Sequence, residues 1–152
     1  MASDNVTILK IDKGTELSVA LLKFVGNCSW EETKAHISQM LSNWEFTDWE
    51  TMFAALIDGK IVGMASAMKS DYYPLPDIFP WVSCIFVSED VRGRRISEKL
   101  IDFANRYLKT QGFDKSYISA GCFGLYELYG YRFVKDIVNY GGGTDHLFVK
   151  EL

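Results

Sequence analysis

Three arginines and a glycine fill Arg92-Gly93-Arg94-Arg95, directly ahead of Ile96-Ser97-Glu98-Lys99-Leu100. The segment lies between an apolar run and an amphipathic one. An anion docking there meets guanidinium donors, free backbone N–H groups and the positive end of a helix dipole together. Gly93 permits a backbone shape that other residues resist. A phosphate-bearing ligand is therefore expected on Arg92, Gly93, Arg94, Arg95, Ile96 and Ser97. A solvated basic turn opening a helix is the plainer reading of the same residues. The sequence lacks a lysine after a glycine-rich loop and lacks the three-glycine dinucleotide fingerprint.

Groups able to move protons are few. Asp71 and Asp77 stand in one segment with Tyr72, Tyr73 and Phe79. His36 falls in a helical stretch and His146 at the start of a strand, where hydrogen-bonded structural roles are commoner than catalysis. Cys28, Cys84 and Cys122 are odd in number and have no metal-ligand spacing, so no metal is expected.

Composition bounds the rest. The 152 residues suit one domain, 1–152, and 48% of them are apolar, enough for a core. The net charge of −4 argues against broad nucleic-acid binding. No apolar run approaches the roughly 20 residues of a membrane span. The first ten residues carry no signal-peptide pattern, so a cytoplasmic location is expected.

Elements follow from periodicity. Val6 to Ile11 alternates as a strand does. Glu16 to Val25 and Trp30 to about Asn43 read as helices, the second opened by a Ser29/Glu32 capping box. Thr51 to Ile57 and Lys60 to Met68 form a hairpin about Asp58-Gly59. Tyr72 to Pro80 holds all three prolines and reads as a loop. Trp81 to Val87 is almost wholly apolar, as a strand covered on both faces should be. A helix from Ile96 stops near Gly112, and Lys115 to Ala120 is a strand. The Trp81 to Ala120 unit predicts two parallel strands with a right-handed crossover. Phe123 to Tyr129 reads as a short helix closed by Gly130. Tyr131 to Val138 and His146 to Lys150 pair across a glycine-rich turn. Ligands in such sheets sit beyond the carboxyl ends of the strands. One edge of the site thus falls at Val87 to Ile96 and the other at Ala120 to Tyr126.

The second edge carries Gly124-Leu125-Tyr126-Glu127-Leu128-Tyr129-Gly130-Tyr131. Together with Ile85-Phe86-Val87 and Arg92-Gly93, it resembles the GNAT superfamily of acetyl-CoA-dependent N-acetyltransferases. The likeness covers about Thr51 to Leu152 well, and the first 50 residues match in element order. It implies an α/β (α+β) fold with a mixed, mostly antiparallel sheet. A central parallel pair splays into a V, with helices flanking. It implies acetyl-CoA as cosubstrate. The family's pyrophosphate motif, Arg/Gln-x-x-Gly-x-Gly/Ala, falls on Arg92, Arg95 and Ser97. Arg95 replaces a glycine and Ser97 replaces Gly or Ala. The backbone of Phe86 and Val87 is expected to pair with the pantetheine arm, and Val87 N–H to receive the oxyanion. Tyr126 takes the position of the acid beside the thioester sulfur, with Tyr129 and Tyr131 as packing residues. The first helices and the loop before the central strand shape the acceptor pocket, so Tyr73 and Asp77 are the expected substrate contacts. The acceptor is a small-molecule or peptide amine, and a homodimer through the last strands is common in the family. The leading expectation is an N-acetyltransferase working by direct transfer. The alternative is a non-catalytic acyl-CoA-binding or sensing domain, because the central strand carries no carboxylate to act as base.

Overall fold

The structure is a computed structural model that describes residues 5–152. Seven strands form a sheet in the order β1-β2-β3-β4-β5-β7-β6. In chain order the elements begin β1 (Val6–Lys10), α1 (Glu16–Gly26), α2 (Glu31–Asn43), β2 (Thr51–Ile57), β3 (Lys60–Met68) and β4 (Trp81–Val87). They continue α3 (Ile96–Thr110), β5 (Lys115–Ala120), α4 (Leu125–Leu128), β6 (Arg132–Val138) and β7 (Thr144–Glu151). Every pairing is antiparallel except β4 with β5. The mixed sheet with one parallel pair matches the fold expected above.

Local chemistry sets most boundaries. The Thr15 hydroxyl caps α1 by accepting from Ser18 N at 3.2 Å. Asp58 and Gly59 both have positive φ, 50° and 78°, as a two-residue type I′ hairpin turn requires. The start of α2 differs from expectation. Its N-cap is Trp30, without a side-chain hydrogen bond, rather than Ser29. The Trp30 ring packs edge-on to Phe86 at 5.2 Å, and this burial fixes the helix start one residue later. A capping hydroxyl is worth about 1 kcal/mol, less than burying much of an indole.

Two cores cover the two faces of the sheet. One lies under α3 and includes Phe53, Val82, Ile96, Leu100, Ile118, Tyr131 and Phe148. The other lies under α1 and α2 and includes Leu21, Val25, Ile37, Met64 and Phe86. The alternation of β4 divides between them, Phe86 going to the second core and Val87 to the first.

Two irregularities of β4 make the cleft. Against β3, Met64 is opposite Phe86 and Ser66 is opposite Ser83, so β4 carries one extra residue. Cys84 has φ 53°, which marks this bulge. Against β5, β4 pairs at Trp81↔Tyr117 alone, where Tyr117 N donates to Pro80 O at 2.9 Å. Past that point the two parallel strands separate, leaving one edge of β4 unpaired. On the other edge β3 approaches very closely. A Cβ on Gly63 would meet Phe86 O at 3.1 Å and Leu100 Cδ1 at 3.2 Å.

Candidate active site

The register determines which backbone groups face the cleft. Ser88 N donates to Val62 O at 2.8 Å, so those residues form a hydrogen-bonded pair. Val87, opposite Gly63, occupies the alternate position, and its N–H and C=O point away from β3. They point to the side that β5 has left. Phe86, opposite Met64, directs its backbone to β3 instead. Of the two residues expected to serve the pantetheine arm, only Val87 offers its main chain to the cleft. Phe86 supplies a buried ring, in contact with Phe24 and Trp30.

The basic loop closes the carboxyl end of this edge. Arg92, Gly93, Arg94 and Arg95 are exposed, and Gly93 has φ 86°. Ile96 is buried and anchors the first turn of α3 in the core. The N–H groups of Ile96, Ser97 and Glu98 have no intrahelical acceptor, as at every helix start. Arg95 is the N-cap with φ 60°, a left-handed conformation that explains why glycine suits this position. Its guanidinium grips Glu98 with Nε–Oε1 2.7 Å and Nη2–Oε2 3.1 Å. The Arg95 side chain is thus turned to its own helix. The Ser97 hydroxyl is likewise engaged, 3.0 Å from Tyr129 Oη. That leaves the backbone N–H groups of Ile96, Ser97 and Glu98, rather than these two side chains, as the donors at the start of α3.

Tyr126 lies across the cleft on α4. Its ring is surrounded by Tyr129, Tyr131 and Phe148, with centroids 6.2, 6.4 and 6.3 Å away. It borders the same core as Val87. Burial, with smaller effects from Tyr129 and Cys122, pushes its phenol up to about 12. Its hydroxyl has no hydrogen bond among the described residues. Tyr131 differs, because its hydroxyl is tied to Ser116 at 2.7 Å and Asn105 at 2.9 Å inside the core. Tyr131 is structural, as expected. Tyr129 has the additional tie to Ser97.

The loop before β4 lies against the β6–β7 turn. Tyr73 Oη donates to Asp145 Oδ2 at 2.7 Å, and the Tyr73 ring stacks on Trp81 at 5.5 Å. Asn139 Nδ2 also donates to Asp145, at 3.2 Å. Asp71 Oδ1 accepts from Tyr72 N at 2.8 Å. Burial raises the Asp71 carboxyl above the ordinary aspartate range, and the Asp145 charge adds to this. The Asp71 charge also reaches Cys84 on the bulge, whose thiol burial pushes up to about 11. Asp77 is exposed and has no hydrogen bond among the described residues. Sequence position could not separate Asp71 from Asp77, and nothing in the sequence pointed to Asp145. His146 Nδ1 lies 2.6 Å from Asp136 Oδ1, and its ring stacks on Phe123 at 4.1 Å, a structural role. Two tryptophans make packing contacts: Trp44 with Phe46, and Trp49 with Phe113.

On the opposite face from Val87 and Tyr126, a cavity of about 680 Å³ opens where the α1–α2 turn meets the end of β4. Phe86 and Ser88 form part of its wall, with Cys28 and Glu31 from the helical side. Among the described residues no group of three metal-ligating side chains converges, and no helix is long and apolar enough to cross a membrane.

Comparison with known proteins agrees with this geometry. Among solved structures, an aminoglycoside 6′-N-acetyltransferase complexed with coenzyme A superposes with a TM-score of 0.71. It is 16% identical, and the match covers 95% of this chain and 96% of that one. A GNAT family acetyltransferase from Elizabethkingia anophelis with acetyl-CoA bound gives 0.65 at 20% identity, covering 99% and 100%. The aminoglycoside 6′-N-acetyltransferase from Enterococcus faecium gives 0.71 at 16%, covering 95% and 96%. No curated protein matches the sequence. The family model described as Acetyltransferase (GNAT) family matches residues 21–131. With the splayed parallel pair, the bulged β4 and the basic loop opening α3, this match shows that the chain belongs to the GNAT acetyltransferase family.

Proposed function

We propose that the protein transfers the acetyl group of acetyl-CoA directly to a primary amine. The observation that carries the reading is the unpaired edge of β4 at Val87, ending in the basic loop at the start of α3. An amide-bearing chain such as pantetheine can add to that edge as a strand would. Its diphosphate then falls at the loop residues Arg92 to Ser97, where backbone N–H donors gather. Coenzyme A or acetyl-CoA in two structural neighbours supports the same occupant here.

In this reading the amine nitrogen attacks the thioester carbonyl carbon. A C–N bond forms and the carbonyl oxygen becomes an oxyanion, which accepts from Val87 N–H. The C–S bond then breaks. Tyr126 gives its proton to the departing sulfur, and the nitrogen loses one proton to a base. Asp71 serves as that base, because its carboxyl is half-buried on the acceptor side and burial raises its proton affinity. Tyr73 lines the acceptor wall beside it, and the exposed Asp77 belongs to the rim of the same loop. The acceptor is a small molecule or peptide carrying an amine. The test is release of free CoA thiol from acetyl-CoA against a panel of amines. Amine-dependent release is the expected result. Tight acetyl-CoA binding with no release on any amine would favour a non-catalytic binding domain.

A further inference from the structure

The carbonyl of Val87 is already engaged. Arg92 Nε donates to it at 3.0 Å. The guanidinium continues to the Phe86 ring, 5.6 Å from its centre. Arg92 therefore reaches back five residues and lies along the edge that, in the reading above, receives the pantetheine arm. The carbonyl has a second lone pair. The Arg92 bond nevertheless occupies an acceptor site that the amide of an added chain would use. No carboxylate holds Arg92 among the described residues. Its present partners are a neutral carbonyl and an aromatic face, which an anion could outcompete.

We propose that Arg92 is a donor-specificity latch. In the empty chain it covers the Val87 edge, and a donor phosphate draws it away as the pantetheine arm takes its place. A thioester donor that lacks a phosphate must displace Arg92 without compensation. The protein should therefore prefer a donor with a diphosphate over the same thioester on bare pantetheine, beyond what added contacts alone would give. Exchange of a neutral acceptor for an anionic one roughly doubles the strength of a hydrogen bond, so the exchange favours release. The inference rests on the acetyl-CoA reading for the identity of the arm. The Arg92–Val87 contact does not depend on that reading.

The test compares acetyl-CoA with S-acetylpantetheine as donors, using the full chain, R92A and R92M. Both variants should raise kcat/KM for S-acetylpantetheine about three- to tenfold, the worth of one released hydrogen bond. Both should lower kcat/KM for acetyl-CoA about three- to tenfold, because the charged phosphate contact that is lost is worth about twice the hydrogen bond that is released. The signs are opposite, which a general loss of folding or activity would not produce. A parallel fall for both donors, or an unchanged S-acetylpantetheine value, overturns the latch. If the parent chain turns over neither donor, the acetyltransfer reading fails. The latch is then read from equilibrium binding of CoA and pantetheine, with the same opposite shifts expected. Binding of neither by the parent chain overturns both.

Discussion

The hydroxyl oxygens of Ser97 and Tyr129 lie 3.0 Å apart and join the first turn of α3 to the end of α4. These two helices carry the two sides of the candidate cleft. Ser97 stands where the resemblance implies Gly or Ala, and neither of those could make this tie. Tyr129→Phe removes it. Tyr129 is almost buried but Ser97 is only half so, and water can take up the freed hydroxyl. The expected loss is about 0.5–1.5 kcal/mol of stability, the range for one hydrogen bond. Urea unfolding of both proteins measures it. No change in midpoint would show that the contact contributes nothing.

Arg95 offers a case of two opposed effects. Its φ of 60° is left-handed, which costs a residue with a Cβ about 1–2 kcal/mol relative to glycine. Its ion pair with Glu98 is exposed on the arginine side, and such pairs are worth about 0–1 kcal/mol. The backbone effect is the larger. Arg95→Gly should raise stability by a fraction of a kilocalorie up to about 1 kcal/mol, visible as a higher Tm. A lower Tm would mean that the ion pair outweighs the strain.

Tyr126 must be protonated to donate to sulfur. Burial pushes its phenol up to about 12, so it keeps its proton well beyond the range of an ordinary tyrosine. Activity should then show no loss from this group through pH 10. Tyr126→Phe should lower kcat by about 10²–10⁴-fold across the accessible range, the usual contribution of a positioned acid. An unchanged kcat from pH 7 to 10 would remove Tyr126 from the mechanism.

Much of this was legible in the residues, and what was not has definite causes. The strand and helix order followed from periodicity, and Asp58-Gly59 fixed its hairpin because few dipeptides accept two positive φ values. The α2 start was missed because the packing of Trp30 on Phe86 is a long-range contact that outweighs a local cap. The bulge at Cys84 left no local signal, since a left-handed cysteine is held by the pairing of β4 with β3. That bulge resets the alternation, and so decides that Val87 rather than Phe86 faces the cleft. The Arg95–Glu98 pair, which turns the Arg95 side chain from the loop, needed the geometry. The Tyr73–Asp145 bond joins residues 72 apart in sequence, and no pattern within either segment implied it.

That bond leads to the sharpest pH prediction. Asp71 is raised first by burial and then by the charge of Asp145. The groups around it are the Asp145 carboxylate, the Tyr73 hydroxyl and the Cys84 thiol, and none is a cation. A base works only when deprotonated, so activity rises with pH through its ionisation. With Asp71 as the base, the acid limb of kcat/KM lies above the ordinary aspartate range. Asp145→Asn removes the like charge but leaves the burial. The Asp71 carboxyl then ionises more easily, and the acid limb moves to lower pH. Asp71→Asn should abolish that limb and lower the plateau about 10²-fold or more. Titrating kcat/KM of the three proteins with one neutral-pH acceptor decides the matter. A limb that stays fixed in Asp145→Asn while Asp71→Asn remains active would assign the proton to another group, whereas a downward shift ties the base to the loop that Tyr73 fastens to β7.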